Sequence, residues 1–477
     1  MAYEKIQLLI NGEWRDGAGG GQDILNPVDE SVIGWCPHAS AEELDMALAA
    51  ADAGFKVWKD MTALNRQAVM EKAARNMEDR RAHIAECLTR EEGKPLGEAL
   101  MEVDIVIDIC RWYGEEGKRS YGRLIPPRIP GARQLAVKEP VGPVAAFVAW
   151  NFPGTNVIRK VAGALAAGCS IIIKPSEETP ATAVAIARCF QDAGLPDGAL
   201  NVVFGVPDTV SRHILASPVI KKLSFTGSVP VGKHLQKLAA ENLIRCTMEL
   251  GGHSPVIVFD DANLDKAMDM MAGFKYRNAG QVCVSPTRFY IQENVYEKFV
   301  EGFTARAKAL NVGNGLEDGV QMGPLVADRR LSVMEDFVQD AKASGAEIVA
   351  GGERIGNQGY FFAPTVMRDV PDSAKIMNEE PFGPLAPLTP FKSADEVLER
   401  ANSLTFGLAS YVFTQDANKA KAMEGGLNSG MVGVNHPGIS MPETPFGGVN
   451  DSGYGSEGGI EGLEVFQRTK FMTELGL

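Results

Sequence analysis

Residues 141–180 read VGPVAAFVAWNFPGTNVIRKVAGALAAGCSIIIKPSEETP. Two short apolar runs, VGPVAAFVAW at 141–150 and SIIIKP at 170–175, flank a segment that reads as a helix from TNVIRK onward. The same rhythm continues downstream. LNVVFG (200–205), KKLSFTGS (221–228) and PVIVFDDA (255–262) are further apolar runs, and ATAVAIARCFQDAG (181–194) is helical in pattern. Short buried strands alternating with helices predict a parallel α/β sheet. A second alternating set follows, with YEKFVEGFTARAKAL (296–310), LSVMEDFVQDAKASGA (331–346), EIVAGG (347–352) and ADEVLERANSL (394–404). Two α/β lobes are therefore expected.

Upstream, apolar residues at helical spacing fill 41–118, as in AEELDMALAAADAGFKVW and RQAVMEKAARNMEDRRAHIAECL. They predict several amphipathic helices. IQLLINGEWR at 6–15 predicts a hairpin turning at Asn11-Gly12. The glycine run GAGGG at 17–21 does not lie between an apolar strand and a helix, so it reads as a surface loop rather than a phosphate cradle. RSYGRLIPPRIPGARQLAV at 119–137 is basic and proline-rich, and the C-terminal VFQRTKFMTEL can pair with it as β-structure.

With 477 residues the chain exceeds one simple hydrophobic core. Its 45% hydrophobic and 23% charged residues are ordinary for globular proteins, which excludes a disordered or fibrous class. A net charge of −14 opposes nucleic acid and anionic membrane as main partners, since phosphate requires a basic face. The longest weakly polar stretch, VAGALAAGCSIII at 161–173, is too short to span a bilayer, and the N-terminus shows no signal-peptide pattern. The seven cysteines are scattered, with no CxxC pair. They suggest a reducing cytoplasm, no structural metal, and six of seven thiols buried as small hydrophobes.

The remaining cysteine is Cys283, in RNAGQVCVSP at 277–286. It is weighed with WNFPG at 150–154, MELGGHSP at 248–255 and EEPFGP at 379–384. Each stretch alone has a plain structural explanation. Asn151 can cap a helix, Glu249 can be a surface charge, and a cysteine can simply pack.

Together they resemble the NAD(P)-dependent aldehyde dehydrogenase superfamily over essentially the whole chain. MELGG followed 34 residues later by the GQVC cysteine is that family's paired signature, and KPSE (174–177), FTGS (225–228) and PFGG (445–448) occur in the family order. The resemblance implies a Rossmann-like cofactor lobe over 1–118 and 138–250, a catalytic α/β lobe over 251–450, and a small β oligomerisation flap from 119–137 and 451–477. It also implies a homodimer or homotetramer. The chemistry suits these residue types. A thiolate adds to an aldehyde, the resulting thiohemiacetal releases hydride, and water hydrolyses the thioester. By resemblance Cys283 is the nucleophile, Glu249 the general base, and Asn151 an oxyanion donor paired with the Cys283 backbone N–H. Lys160 and Glu457 match proton-relay positions and equally suit a structural ion pair. A cysteine hydrolase pairing Cys283 with His253 is the rival chemistry, and it leaves the cofactor motifs unexplained. A phosphorylating or CoA-acylating enzyme is disfavoured by Glu249, whose activation of water would compete with another acceptor.

For the cofactor, FTGSVPVG sets Gly227, Ser228 and Gly232 at a strand-to-helix turn where backbone can approach pyrophosphate. Lys174, Ser176 and Glu177 match the adenine-side ribose site. Glu177 favours NAD by repelling a 2′-phosphate, while Lys174 leaves NADP open. Glu380 matches a nicotinamide-ribose ligand, and Phe382, with Trp150, a residue beside the ring. For the substrate, Arg159, Arg288 and Ser440 resemble the carboxylate clamp of succinate-semialdehyde dehydrogenases. Succinate semialdehyde is the first expectation. 2-Oxoglutarate semialdehyde, or a neutral aldehyde if the arginines are ion-paired within the protein, is the alternative.

Overall fold

The structure, a computed structural model, describes residues 3–476. The quoted stretch forms the strand Val144–Phe147, the helix Pro153–Ala167 and the strand Ile171–Lys174. Both strands are buried on both faces, which explains their unbroken apolar runs. Pro153 pre-sets the first helical turn, and Gly168, at φ +92°, ends the helix in a left-handed cap.

These strands belong to an eight-stranded sheet. In spatial order it runs Glu13–Arg15, Leu8–Ile10, Leu200–Val202, Ile171–Lys174, Val144–Phe147, Lys222–Thr226, Arg245–Glu249 and Gly453–Tyr454. The five middle pairing partners run parallel, and antiparallel strands close both edges. The N-terminal hairpin turns at Asn11 (φ 52°) and Gly12 (φ 80°), both left-handed as a tight hairpin requires. Four helices, Ala41–Asp60, Ala63–Asp79, Arg81–Glu92 and Leu96–Glu116, fill the predicted helical region and share this lobe's core. The glycine run is a loop that leads into the strand Gly21–Leu25.

A second sheet of seven strands runs Glu347–Ala350, Thr365–Arg368, Leu385–Phe391, Pro286–Gln292, Ser254–Val258, Ala409–Phe413 and Met431–Val434. All but the first are parallel, and a separate core covers the sheet. Only residues 250–253 separate Arg245–Glu249 of the first sheet from Ser254–Val258 of the second. The MELGG stretch is therefore the crossing between lobes, and the cavity described below lies there.

The flap is a three-stranded antiparallel sheet of Arg123–Ile125, Ala132–Pro140 and Gln467–Leu475. It is smaller at the C-terminal end than expected. Of 451–477, residues Gly453–Tyr454 join the first sheet, and helix Gly459–Glu464 packs on the first lobe. The cause is local packing. Leu463 and Phe466 are buried, and a side-chain carbon on Gly163 would sit 2.7 Å from the Phe466 ring. Among the described residues no helix is long and apolar enough to cross a membrane.

Candidate active site

A cavity of about 540 Å³ lies between the lobes, lined by Trp150, Asn151, Glu249 and Cys283 among others. Glu249 arrives at the end of strand Arg245–Glu249, and Trp150 and Asn151 in the loop after Val144–Phe147. The two glycines after Glu249 let the parts close. A side-chain carbon on Gly252 would lie 2.7 Å from the Cys283 carbonyl, and one on Gly251 would collide with the Glu380 carboxylate. Cys283 follows three successive left-handed residues, Asn278 (φ 51°), Ala279 (φ 52°) and Gly280 (φ 74°). Left-handed backbone costs a residue such as alanine about 1–2 kcal/mol. The turn is held by Asn278 N–H donating to Glu98 (2.9 Å) and Gln281 N–H donating to the Asn278 carbonyl (3.0 Å).

Asn151 lines the same cavity as Cys283. Its Nδ2 donates to the Gln281 carbonyl (3.1 Å), two residues before the cysteine, and its Oδ1 accepts from Asn156 (3.3 Å). An amide carries two N–H groups, so one remains for another acceptor. The Cys283 thiol is half-buried. Burial, and then the charges of Glu380 and Glu249, push its pKa up to about 12. It rests as a thiol and needs a base. Glu249 is buried, and neither carboxylate oxygen has a hydrogen-bond partner. Burial first, and then the nearby Glu457, hold its pKa well above the usual carboxylate range. Lys160 is ion-paired with Glu457 and donates to Thr226 Oγ1 (2.8 Å), wholly buried beside the cavity.

The substrate residues divide. Arg159 and Ser440 meet, with Arg159 Nη2 donating to Ser440 Oγ (2.8 Å). Its Nη1 donates to the Glu457 carbonyl (3.0 Å), and the guanidinium lies 4.8 Å from the centre of the Phe446 ring. Arg288 does not join them. It is buried in strand Pro286–Gln292 and donates to the carbonyls of His253 (3.0 Å), Arg400 (3.2 Å) and Ala401 (2.8 Å). Closeness to Cys283 in sequence misled, because a strand sends successive side chains to opposite faces. Arg277, six residues before the cysteine, lines the cavity instead, together with Arg159, Arg329 and Arg330. Among the described residues its side chain has no hydrogen bond or ion pair, its Nε is buried without a partner, and its guanidinium lies 5.2 Å from the centre of the Phe152 ring. The available signal was a charge at the mouth of the RNAGQVC turn.

Gly227 and Ser228 line the cavity at the start of helix Val229–Glu241, which has no side-chain cap. Two other helices starting above the same sheet are closed by buried carboxylates. Glu102 accepts from Gly154 and Thr155, and Glu91 from Ala181 and Thr182. The Val229–Glu241 terminus therefore stays available to an anion. Gly232 acts elsewhere, because a side-chain carbon there would lie 2.5 Å from the Leu250 side chain, so only glycine lets the helix pack on it. Glu380 accepts from Gly252 N–H (3.0 Å), and burial pushes its pKa up to about 7. Phe382 meets Trp150 edge-on, with centroids 5.5 Å apart. An open helix terminus, the half-buried Glu380 carboxylate and an aromatic pair on one cavity fit a dinucleotide. Lys174 and Glu177 form a separate buried pair. Lys174 Nζ lies 2.6 Å from Glu177 Oε1, which also accepts from Gly205 N–H (3.0 Å). Ser176 is half-buried beside them, with its hydroxyl on Glu178 (3.4 Å).

The rival hydrolase pairing does not form. His253 is buried against Thr287 Oγ1 (2.8 Å) and the Ile376 carbonyl (3.1 Å). Cys246 is half-buried, so five cysteines rather than six are buried. Among the described residues no acidic, histidine or cysteine group could hold a metal ion.

Comparison with known proteins agrees with this geometry. The model of the Aldehyde dehydrogenase family matches residues 14–472. The chain is 45% identical to the 4-(hydroxymethyl)benzenesulfonate dehydrogenase of Comamonas testosteroni, covering 99% of this chain and 98% of that protein. It is 40% identical to the NADP(+) succinate-semialdehyde dehydrogenase of Escherichia coli K12, over 98% and 97%. The solved succinate-semialdehyde dehydrogenase of Burkholderia pseudomallei superposes with a TM-score of 0.98 at 39% identity, covering 99% of this chain and 98% of that one.

Proposed function

Because this chain belongs to the aldehyde dehydrogenase family and is an NAD(P)-dependent aldehyde dehydrogenase, we propose that it oxidises a short aldehyde with an anionic far end. Succinate semialdehyde is the first substrate and 2-oxoglutarate semialdehyde the second. The observation that carries the reading is Arg277, a guanidinium on the cavity wall without a hydrogen bond or ion pair. Arg159 supports it, since its hydrogen bonds go only to a carbonyl and a hydroxyl. The Arg277 guanidinium is half-buried and ion-paired to no described residue, although Glu98 feels its charge, so its N–H groups can take a substrate carboxylate. The clamp is thus Arg159, Arg277 and Ser440.

In the reaction Cys283 gives its proton to Glu249 and its sulfur adds to the carbonyl carbon. The free Asn151 N–H donates to the developing oxyanion. NAD(P), held through Gly227, Ser228, Glu380 and Phe382, supplies a hydride acceptor. Glu249 passes the thiol proton on to the Lys160–Glu457 pair, then takes a proton from the water that hydrolyses the thioester and returns it to the departing Cys283 sulfur. The flap's exposed Leu124, Ile129, Phe471 and Leu475 suit burial against a second copy, as a homodimer or homotetramer in the cytoplasm.

An aryl sulfonate aldehyde is a second reading. The 45% identical relative bears a benzenesulfonate name, and Phe152, Phe274 and Phe446 line the cavity. The test follows NAD(P)H formation with succinate semialdehyde, 2-oxoglutarate semialdehyde, 4-formylbenzenesulfonate and hexanal. A charged hydrogen bond contributes roughly 1.5–3 kcal/mol, so an anionic substrate should exceed hexanal in kcat/KM by about tenfold or more. Hexanal winning would refute the clamp. Arg277→Ala and Arg159→Ala should each raise KM for the preferred anion by about tenfold and leave hexanal within about twofold. Arg288→Ala should lower Tm without changing that ratio. Equal losses on both substrates in the Arg277 variant would count against it.

For the cofactor, NAD is the proposed preference, because Glu177 occupies Lys174 and adds negative charge. Glu177→Ser frees the lysine. The NADP/NAD ratio of kcat/KM should rise by about tenfold, the worth of one charged contact. An unchanged ratio would remove Glu177 from cofactor choice.

A further inference from the structure

The first lobe contains a buried ion pair that none of the motifs include. Lys94 sits in the turn between helices Arg81–Glu92 and Leu96–Glu116, and Glu102 lies on the second of them. Both are buried. Lys94 Nζ donates to Glu102 Oε2 (2.7 Å) and to the backbone carbonyl of Asn151 (2.9 Å), and it lies 4.0 Å from the centre of the Phe152 ring. Glu102 Oε1 accepts from Gly154 N–H (2.9 Å) and Thr155 N–H (3.1 Å), the first turn of the helix that carries Arg159 and Lys160. The Asn151 carbonyl accepts a second bond, from Asn278 Nδ2 (2.9 Å) in the left-handed turn before Cys283. One carbonyl oxygen is thus held by Lys94 from the first lobe and by Asn278 from the nucleophile's loop.

Burying two ions gains little net stability, because desolvation offsets their attraction. A pair of apolar side chains would fill the same space. What apolar groups lack is direction. We infer that Lys94 and Glu102 are positioning residues for Asn151. Lys94 fixes the Asn151 carbonyl, Glu102 fixes the helix start three residues later, and between them they aim the Asn151 amide at the developing oxyanion. Neither touches substrate or cofactor. The inference rests on the oxyanion role proposed above for Asn151.

The test is a double-mutant cycle in the full-length enzyme, read as kcat, KM and the single-turnover rate of NAD(P)H formation. Misplacing a reacting group by about 1 Å can cost on the order of 10²-fold, so Lys94→Met should lower kcat by about tenfold to 10²-fold with KM changed by less than about twofold. In an Asn151→Ala background the same change should cost no further activity. Purely structural damage would multiply with the Asn151→Ala loss, and multiplied losses would overturn the inference. So would full kcat in Lys94→Met. If Asn151→Ala alone keeps full kcat, the oxyanion reading falls and the inference with it; multiplied losses on an impaired Asn151→Ala background refute the inference alone. Should Lys94→Met fail to fold, Glu102→Gln in the same cycle decides, because its amide oxygen can still accept from the helix start while Lys94 loses its nearer carboxylate and keeps only the more distant Glu92, 3.9 Å away.

Discussion

Cys283→Ala should abolish aldehyde oxidation, with kcat lowered on the order of 10⁴-fold or more, while NAD(P) still binds. No other cysteine lines the cavity, and five of the remaining six are buried elsewhere. The change removes only a small side chain from a half-buried position, so the fold and the open helix terminus at Gly227–Ser228 should persist. NAD(P)H formation and dinucleotide binding by calorimetry measure the two halves of the expectation. Surviving turnover would refute covalent catalysis at this thiol. Lost binding would mean that the substitution had damaged the site more widely.

Glu249→Gln should lower kcat by about 10²–10⁴-fold, the usual worth of a general base. It should also reshape the pH profile. In the wild type the working form of Glu249 is the carboxylate, and burial with Glu457 nearby holds its pKa well above the ordinary range. Activity is therefore lost as pH falls through that raised value and recovered above it. The acidic limb of kcat should lie well above the ordinary carboxylate range. An acidic limb within that ordinary range would show that the base is not this buried carboxylate. Rapid mixing separates its two tasks. If Glu249 serves only hydrolysis, the glutamine variant should release about one NAD(P)H per site quickly and then stall. If it also deprotonates Cys283, whose own pKa is pushed up to about 12, the first turnover should slow as well.

The tight packing at the nucleophile loop has a functional consequence. Asn278, Ala279 and Gly280 hold a left-handed turn against the Gly383 carbonyl, and Gly252 fits against the Cys283 carbonyl. Such strain persists only where surrounding contacts over-determine it. Here those contacts come from both lobes, so Cys283, Glu249 and Asn151 are set relative to one another across the cavity.

The α/β alternation could be read directly from 141–262, because a strand buried on both faces must be apolar at every position, and that pattern is local. The Asn11-Gly12 turn was local in the same sense. That Glu249 and Cys283 reach one cavity was legible because both stand in short motifs whose glycines and small residues are demanded by close backbone contact. Arginine placement was not. Arg277 and Arg288 lie on either side of Cys283, and only the tertiary structure sends one to the cavity and the other to the carbonyls of His253, Arg400 and Ala401. The C-terminal limit of the flap was equally hidden, since Leu463 and Phe466 choose their side by what packs opposite them. Lys94 and Glu102 sit in a helical region where charges ordinarily face water. Their burial follows from the approach of the Asn151 loop, more than forty residues away in sequence. A side chain's local pattern sets its periodicity, whereas its partner is set by whichever distant segment the fold brings against it.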